Sequence, residues 1–479
     1  MRMTPDQMYS RLAASDPAWN GRFFAGVLTT GVYCLPSCHA RKPRRENVRF
    51  FPTCEAAREA GFRPCLKCHP DDFARGSDPV METIEAVVAE VRSNPGAFAD
   101  ARSVVRRSGF GSTRCFELFR QHFHATPADL LLKARIDASR RLLVESDSPL
   151  AEVAGASGFE SLSAFHLHFR DHNGMTPSEY RRLRLEDSFR IELPRDYCLA
   201  HLLRTLGRDP HSLTERLQGT RYEAAMDLDG APGVVTIRFE RGAAAVSVEC
   251  AAQKGAPRGV AAHRQVAAIL GLGQDPGGFA RLARRLGLAR LVAGRPGLRL
   301  SLTPGVLDGL IWCIIGQQIN LPFACLLKRR LVESAGTRLP GGLFALPAPD
   351  RIADLEPDQL RPWQYSRQKA EYLIGAARLV AGRKLDLGGL AAMSATRAER
   401  TLLAVHGLGP WSVNYLLMRS LGFADCVPLG NTGVTSGLQA LFSLEERPDA
   451  DATLRLMSVF SPQRSLATAH LWQINRPPP

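Results

Sequence analysis

The sequence predicts a multidomain protein, mainly α with α+β parts. Three observations carry that expectation. At 479 residues the chain exceeds what one hydrophobic core organises, and roughly three or four domains are expected. Residues 80–185 read as helical throughout and fall into two similar halves, each a helix, a glycine turn and a second helix. An alternating strand pattern at Val234 to Phe239 and Ala245 to Glu249 follows, and after Arg295-Pro296-Gly297 helical spacing resumes until the Pro-rich end.

Composition narrows the partners. A formal net charge of +14 favours a polyanion such as nucleic acid. The surplus is concentrated after residue 187, and the 79–187 stretch is near neutral. No run approaches the ~18–20 apolar residues of a membrane span, and the N-terminus has no apolar export core. The 11 cysteines are therefore expected in a reducing cytoplasm, where clustered thiols bind metal more often than they pair.

Residues 1–75 are turn-rich, with short strand-like runs at Arg22 to Leu28 and Val48 to Phe51. Such a segment is too small for a large core, and a metal would supply the missing stability. Cys34 and Cys38 form one close pair, Cys65 and Cys68 another, the layout of a four-thiolate zinc site. Arg41, Lys42, Arg44, Arg45, Arg49, Arg63 and Lys67 surround them. Arg75 to Pro79 reads as a linker.

The run Thr29-Thr-Gly-Val-Tyr-Cys34-Leu-Pro-Ser-Cys38-His-Ala-Arg41, with Gly61-Phe-Arg-Pro-Cys65-Leu-Lys-Cys68, resembles the methylphosphotriester-repair domain of the Ada adaptive-response family. The resemblance implies one Zn²⁺ held by Cys34, Cys38, Cys65 and Cys68, with Cys34 accepting a methyl group from an alkylated DNA phosphate. It also puts Arg41 at a phosphate-contacting position and Arg45 at a second one.

In the helical stretch, Ser108 to Ser112 with Phe116, Phe119 and Phe123 parallels Ala156 to Ser161 with Phe165 and Phe169. Glycine turns followed by serine N-caps, at Ser112 and Ser161, give helix-turn-helix organisation. The run Leu150 to Arg170, followed by Gly174 to Arg181, is similar to the AraC-type DNA-binding domain. Its phenylalanines are expected in the core. Ser163, His166 and Arg170 occupy the other face of the second recognition helix and are candidates for base edges. Thr113, Arg114 and Gln121 are the first half's counterparts.

In the last third, Leu403 to Tyr415 reads as helix, Gly407-Leu-Gly409 turn, helix. Amide groups of such a turn can hold a DNA phosphate, and its carbonyls a monovalent cation. With Arg295 to Arg299, Ile311 to Gln318 and His470 to Trp472, residues 190–475 resemble the AlkA-type 3-methyladenine DNA glycosylase II, a helix-hairpin-helix family. The resemblance implies base flipping and hydrolysis of the N-glycosidic bond of N-alkylated purines. It makes Trp411, Tyr415 and Trp472 pocket aromatics, suited to cationic bases, and Gln318 the residue that fills the gap in the duplex. Residue-by-residue matching puts Asn431 where the family has its catalytic aspartate. Three accounts stay open: an Asp→Asn replacement that traps the substrate complex, favoured by the intact pocket; a natural damage reader without catalysis; or another acid in the role, for which Asp425 matches a separate position.

The expected limits are 1–78 for a small zinc domain and 79–187 for a double helix-turn-helix domain. Residues 188–295 are expected as an α/β domain and 296–479 as an all-α helix-hairpin-helix domain. Expected partners are alkylated and promoter double-stranded DNA and, for an activator, RNA polymerase, with the protein a monomer. The competing function is a methylation-activated transcription regulator whose C-terminal half binds damaged DNA without catalysis. Repair of alkylated guanine oxygen is not expected, because no Pro-Cys-His-Arg run occurs.

Overall fold

The computed structural model describes residues 3–16, 19–38, 40–250 and 258–474. These fall into two compact units, one of residues 1–90 with 107–109, the other of 91–106 with 110–479.

The first unit carries a small sheet of β1 (Phe24–Val27), β2 (Val32–Cys34), β3 (Val48–Phe51) and β4 (Arg63–Pro64) in the order β3-β1-β2-β4. Both expected strand runs form. Phe24, Tyr33, Leu35, Phe51 and Phe62 make its core, which is small enough to need the metal's help.

In the second unit, recognition helices α1 (Ser112–Phe123) and α2 (Leu162–Asn173) repeat at corresponding places. Ser161 caps α2 by accepting from Ala164 N–H at 3.1 Å. Ser112 does not cap α1: Gly111 is the N-cap and Ser112 the first helical residue. Gly158 takes φ +88° in the turn before α2, a left-handed conformation that favours glycine.

A five-stranded antiparallel sheet follows, made of β5 (Ser188–Glu192), β6 (Glu215–Gln218), β7 (Arg221–Asp227), β8 (Pro232–Glu240) and β9 (Ala243–Cys250), in the order β5-β9-β8-β7-β6. Helices α3 (Leu199–Leu206) and α4 (Gly259–Leu270) accompany it. One hydrophobic cluster runs from Phe165, Phe169 and Tyr180 through Ile191, Tyr222 and Ile237 to Val266. Core packing is therefore continuous across residues 187 and 188.

The last segment is a helical bundle around α5 (Val306–Ile315), α6 (Ala395–Leu403), α7 (Pro410–Arg419) and α8 (Thr432–Phe442). A two-stranded ribbon, Thr337–Arg338 with Phe344–Ala345, departs from the all-α expectation. Phe344 N–H donates to Leu213 O at 2.8 Å, which ties the ribbon to the α/β segment.

The helix-turn-helix pair bridges these two lobes through equivalent corners. After α1, His124 Nδ1 accepts from Asp425 N–H at 3.1 Å and its ring meets Phe423 edge-on, and His122 Nδ1 lies 3.0 Å from Thr396 Oγ1 on α6. After α2, Glu192 N–H donates to Gly174 O at 2.7 Å, and His263 Nε2 on α4 lies 2.8 Å from Asn173 O.

Candidate zinc site, recognition helices and base pocket

Cys34 ends β2, Cys38 follows one tight turn later, and Cys65 and Cys68 follow β4. The short parallel pairing of β2 with β4 sets the two cysteine pairs face to face. All four sulfurs lie within 4.8 Å of one another, and Cys38 and Cys65 are 4.0 Å apart. Tetrahedral zinc with ~2.3 Å bonds requires sulfurs about 3.8 Å apart, so the donor set fits one Zn²⁺ with four cysteine ligands. Cys38 is drawn down to about 7, chiefly by its hydrogen bond with Cys34, which is pushed up in turn by Cys38 and Cys65. Backbone N–H groups point at Cys65 from Lys67 (3.4 Å) and at Cys68 from Leu35 (3.3 Å), and Ala40 supplies one to Cys38. No such N–H is directed at Cys34 among the described residues. Arg41 is exposed; Arg45 is paired with Asp6 at 2.9 Å.

On α2, Ser163 and Arg170 are exposed and His166 half-exposed, while Phe165 and Phe169 are buried. Arg170 is held by Glu192 of β5 in a two-pronged ion pair, its Nε 2.8 Å from one oxygen and an Nη 2.7 Å from the other. Matching the helix starts sets Thr113 opposite Ser163 and Arg120 opposite Arg170. Arg120 is exposed and was missed from the sequence, because the one-residue shift in capping displaces the pattern. Arg114 is turned toward Glu117 at 3.4 Å, and Gln121 is half-buried.

The hairpin between α6 and α7 is built on Gly407, whose φ is +91° and whose missing Cβ would lie 2.2 Å from the Tyr372 ring. Gln317 clamps it, its Nε2 donating to Gly407 O at 2.8 Å and to Ser412 Oγ at 3.1 Å. That carbonyl of the hairpin, one candidate cation ligand, is therefore already engaged. Gly409 is the N-cap of α7 and faces open space. Gln318, next to the clamp, is exposed and takes a left-handed conformation, φ +56°, which strains a non-glycine residue.

Trp411 and Tyr415, one turn apart on α7, stack with centroids 5.6 Å apart, and Trp472 lies 6.4 Å from Tyr415. Asn431, the N-cap of α8, completes this wall: its Oδ1 accepts from Trp472 Nε1 at 3.0 Å and from Val434 N–H at 3.2 Å. Asn414 on α7 fixes the approach to Asn431 by accepting from Val427 N–H at 3.3 Å. Asp425 is elsewhere engaged. Burial pushes its pKa up, but Arg464, at 2.7 Å, more than offsets this and holds the carboxyl below its usual range; Ser461 donates to it at 2.9 Å.

Sequence reasoning also missed one contact between the two lobes. Arg208, which follows α3, sits with its guanidinium carbon 4.6 Å from the Trp312 ring centroid. These residues come from different lobes, and no local pattern joins them.

Three family models match the chain. The metal binding domain of Ada covers residues 7–71, a helix-turn-helix domain 104–183, and the HhH-GPD superfamily base excision DNA repair protein 311–463. A Mycobacterium tuberculosis protein named a probable bifunctional transcriptional activator/DNA repair enzyme AlkA is 27% identical over 98% of this chain and 96% of its own. A Bacillus subtilis DNA-3-methyladenine glycosylase is 35% identical over 37% of this chain and 60% of its own. The structure of a 3-methyladenine DNA glycosylase from Archaeoglobus fulgidus shares the fold of the C-terminal part. Its TM-score is 0.53 at 22% identity, over 60% of this chain and 98% of that one. Three segments that match separate models thus stand in one polypeptide: an Ada-type metal-binding segment, a helix-turn-helix segment and a base-excision segment.

Proposed function

We propose that this fusion of an Ada-type zinc segment and an AraC-type reader with an AlkA-type glycosylase is a DNA alkylation-repair protein that also regulates the response to alkylation. The observation that carries the glycosylase reading is the wall of Trp411, Tyr415, Trp472 and Asn431 beside a glycine hairpin. Such aromatic faces suit a flipped, damaged purine. DNA is the partner common to all three segments.

At the other end, bound zinc supplies the charge that keeps the four sulfurs as thiolates at neutral pH. Cys34 is the proposed acceptor. Its sulfur attacks the methyl carbon of a phosphotriester, the S–C bond forms as the C–O bond breaks, and the phosphate leaves as an ordinary diester. No amide is directed at Cys34 among the described residues, which favours it as the more nucleophilic thiolate. Its conversion to a thioether removes one negative charge from the cluster and lessens repulsion of DNA, an irreversible switch. Arg41, together with Arg45 once released from Asp6, would hold the flanking phosphates.

Ser163, His166 and Arg170 are the proposed base-reading side chains, with Gln318 filling the space left by the flipped base and Gly407 and Gly409 approaching the backbone. A cytoplasmic monomer that contacts RNA polymerase at promoters fits this role. The second reading, a regulator whose C-terminal half binds damage without cleaving it, is favoured by one observation: an amide, not a carboxylate, stands at residue 431. The test is to treat the purified chain with methylated DNA. Mass spectrometry should find one added methyl on Cys34, and chromatography should find free methylpurines from the Asn431→Asp form. An unmodified Cys34 rules out the transfer.

A further inference from the structure

The second recognition helix carries one side chain that its packing does not require. Leu167 of α2 is 60% exposed and lies outside the cluster of Phe159, Phe165, Phe169 and Tyr180 beneath it. It stands in one stripe with Ser163, His166 and Arg170, since steps of three, four and seven residues share a helix face. Phe165 and Phe169 hold the opposite stripe against the core.

The first helix shows what the same place tolerates. Matching the helix starts sets Glu117 of α1 opposite Leu167, and the Glu117 side chain is 47% exposed. Two helices that bury equivalent phenylalanines, Phe119 and Phe169, thus fold with either a carboxylate or an apolar group at this point. A leucine left in water among hydrogen-bonding neighbours points to a contact made outside the chain. Its size narrows the occupant. One leucine is too small for a protein-docking patch, which spans a few hundred Å², whereas the C5-methyl group of thymine is a single apolar feature among the base edges of the major groove.

Resting on the reading of α2 as a base-reading helix, we propose that Leu167 selects thymine in the bound DNA sequence by packing on its C5-methyl group. Ser163 lies one turn before it, and Arg170 lies one turn after, free to donate to a guanine once drawn from Glu192. At the matching place of α1, Glu117 presents an acceptor suited to the amino group of cytosine. The duplicated helices therefore read unequal half-sites.

The experiment selects duplexes from a randomised pool with the zinc-loaded full chain, with and without prior exposure to methylated DNA. In the preferred sequence each thymidine is then replaced in turn by deoxyuridine, which removes only the methyl group. At one position the parent should lose about fourfold in affinity, the worth of one buried methyl group. Leu167→Ala, at an exposed site, should keep the parent's melting temperature and bind the thymidine and deoxyuridine duplexes equally. If no replacement weakens the parent, or if the loss persists in Leu167→Ala, the proposal is overturned. A pool that yields no preferred sequence, or a preference that neither Leu167→Ala nor Arg170→Ala alters, removes α2 as a reading helix and takes the proposal with it.

Discussion

Trp472 donates its indole N–H to the side-chain oxygen of Asn431 at 3.0 Å, and that same oxygen caps α8. Both bonds fall on Oδ1, so a carboxylate at this position could keep them and present its second oxygen where the amide now presents NH₂. Asn431→Asp should therefore fold as the parent does. Base release should rise by ~10²–10⁴, the usual worth of a preorganised charge in such a site. Single-turnover kinetics on methylated duplex would measure it, and equal rates would refute the assignment.

The tetrad should separate structural from reactive thiols. Cys38→Ser should lose bound zinc and unfold the small N-terminal unit, whose core of Phe24, Tyr33 and Phe51 cannot hold alone. Cys34→Ser should abolish methyl uptake and weaken zinc binding. Metal content per chain and hydrogen exchange at β1 and β2 are the measurements.

Acid should destabilise the second unit well above the carboxylate range. Burial holds His124, His201 and His263 down to about 4 and His470 to about 3, from an ordinary value near 6.5. Each stays neutral in the folded chain and gains a proton more readily when unfolded. The stability they contribute is thus full above about pH 6.5 and is lost as pH falls toward 4. Urea midpoints across that window should fall steeply, and His263→Gln should make the slope shallower.

Gly407→Ala should damage the hairpin doubly, through a left-handed backbone and a clash with Tyr372. A loss of about 1–3 kcal/mol in stability is expected for such strain. DNA affinity should fall with it. Gln317→Ala, which removes the clamp without the clash, should weaken DNA binding while leaving the melting temperature nearly unchanged.

The continuous core predicts that the reader cannot be excised at residue 187. A fragment of residues 79–187 would expose Phe169, Tyr180 and Leu183, which pack with Ile191, Tyr222 and Ala262. It should aggregate or bind hydrophobic dye, whereas a fragment extended to residue 479 should melt cooperatively.

What could be read from sequence followed from how locally it is encoded. Four metal ligands lie within one short segment, and the duplicated glycine turns announce themselves by spacing. The hairpin, α7 and the cap at Asn431 follow one another along the chain, which is why residue-by-residue matching could reach that position. Contacts between distant elements left no trace: Arg208 over Trp312, Gln317 on the hairpin, and Glu192 on Arg170 each join segments that meet only in the fold. The serine expected to cap α1 failed for a related reason, since Gly111 takes that place and moves the helix start by one residue.

The helix-turn-helix pair is fastened at one corner to Asp425 and Phe423 and at the other to Glu192 and His263. Each recognition helix is thus riveted to a different lobe of the repair segment, and Arg208 and Trp312 stand on opposite sides of the seam between those lobes. A duplex that twists α1 against α2 would exert torque on that seam. Such a torque would be the physical route by which DNA held at the recognition helices reached the repair cleft.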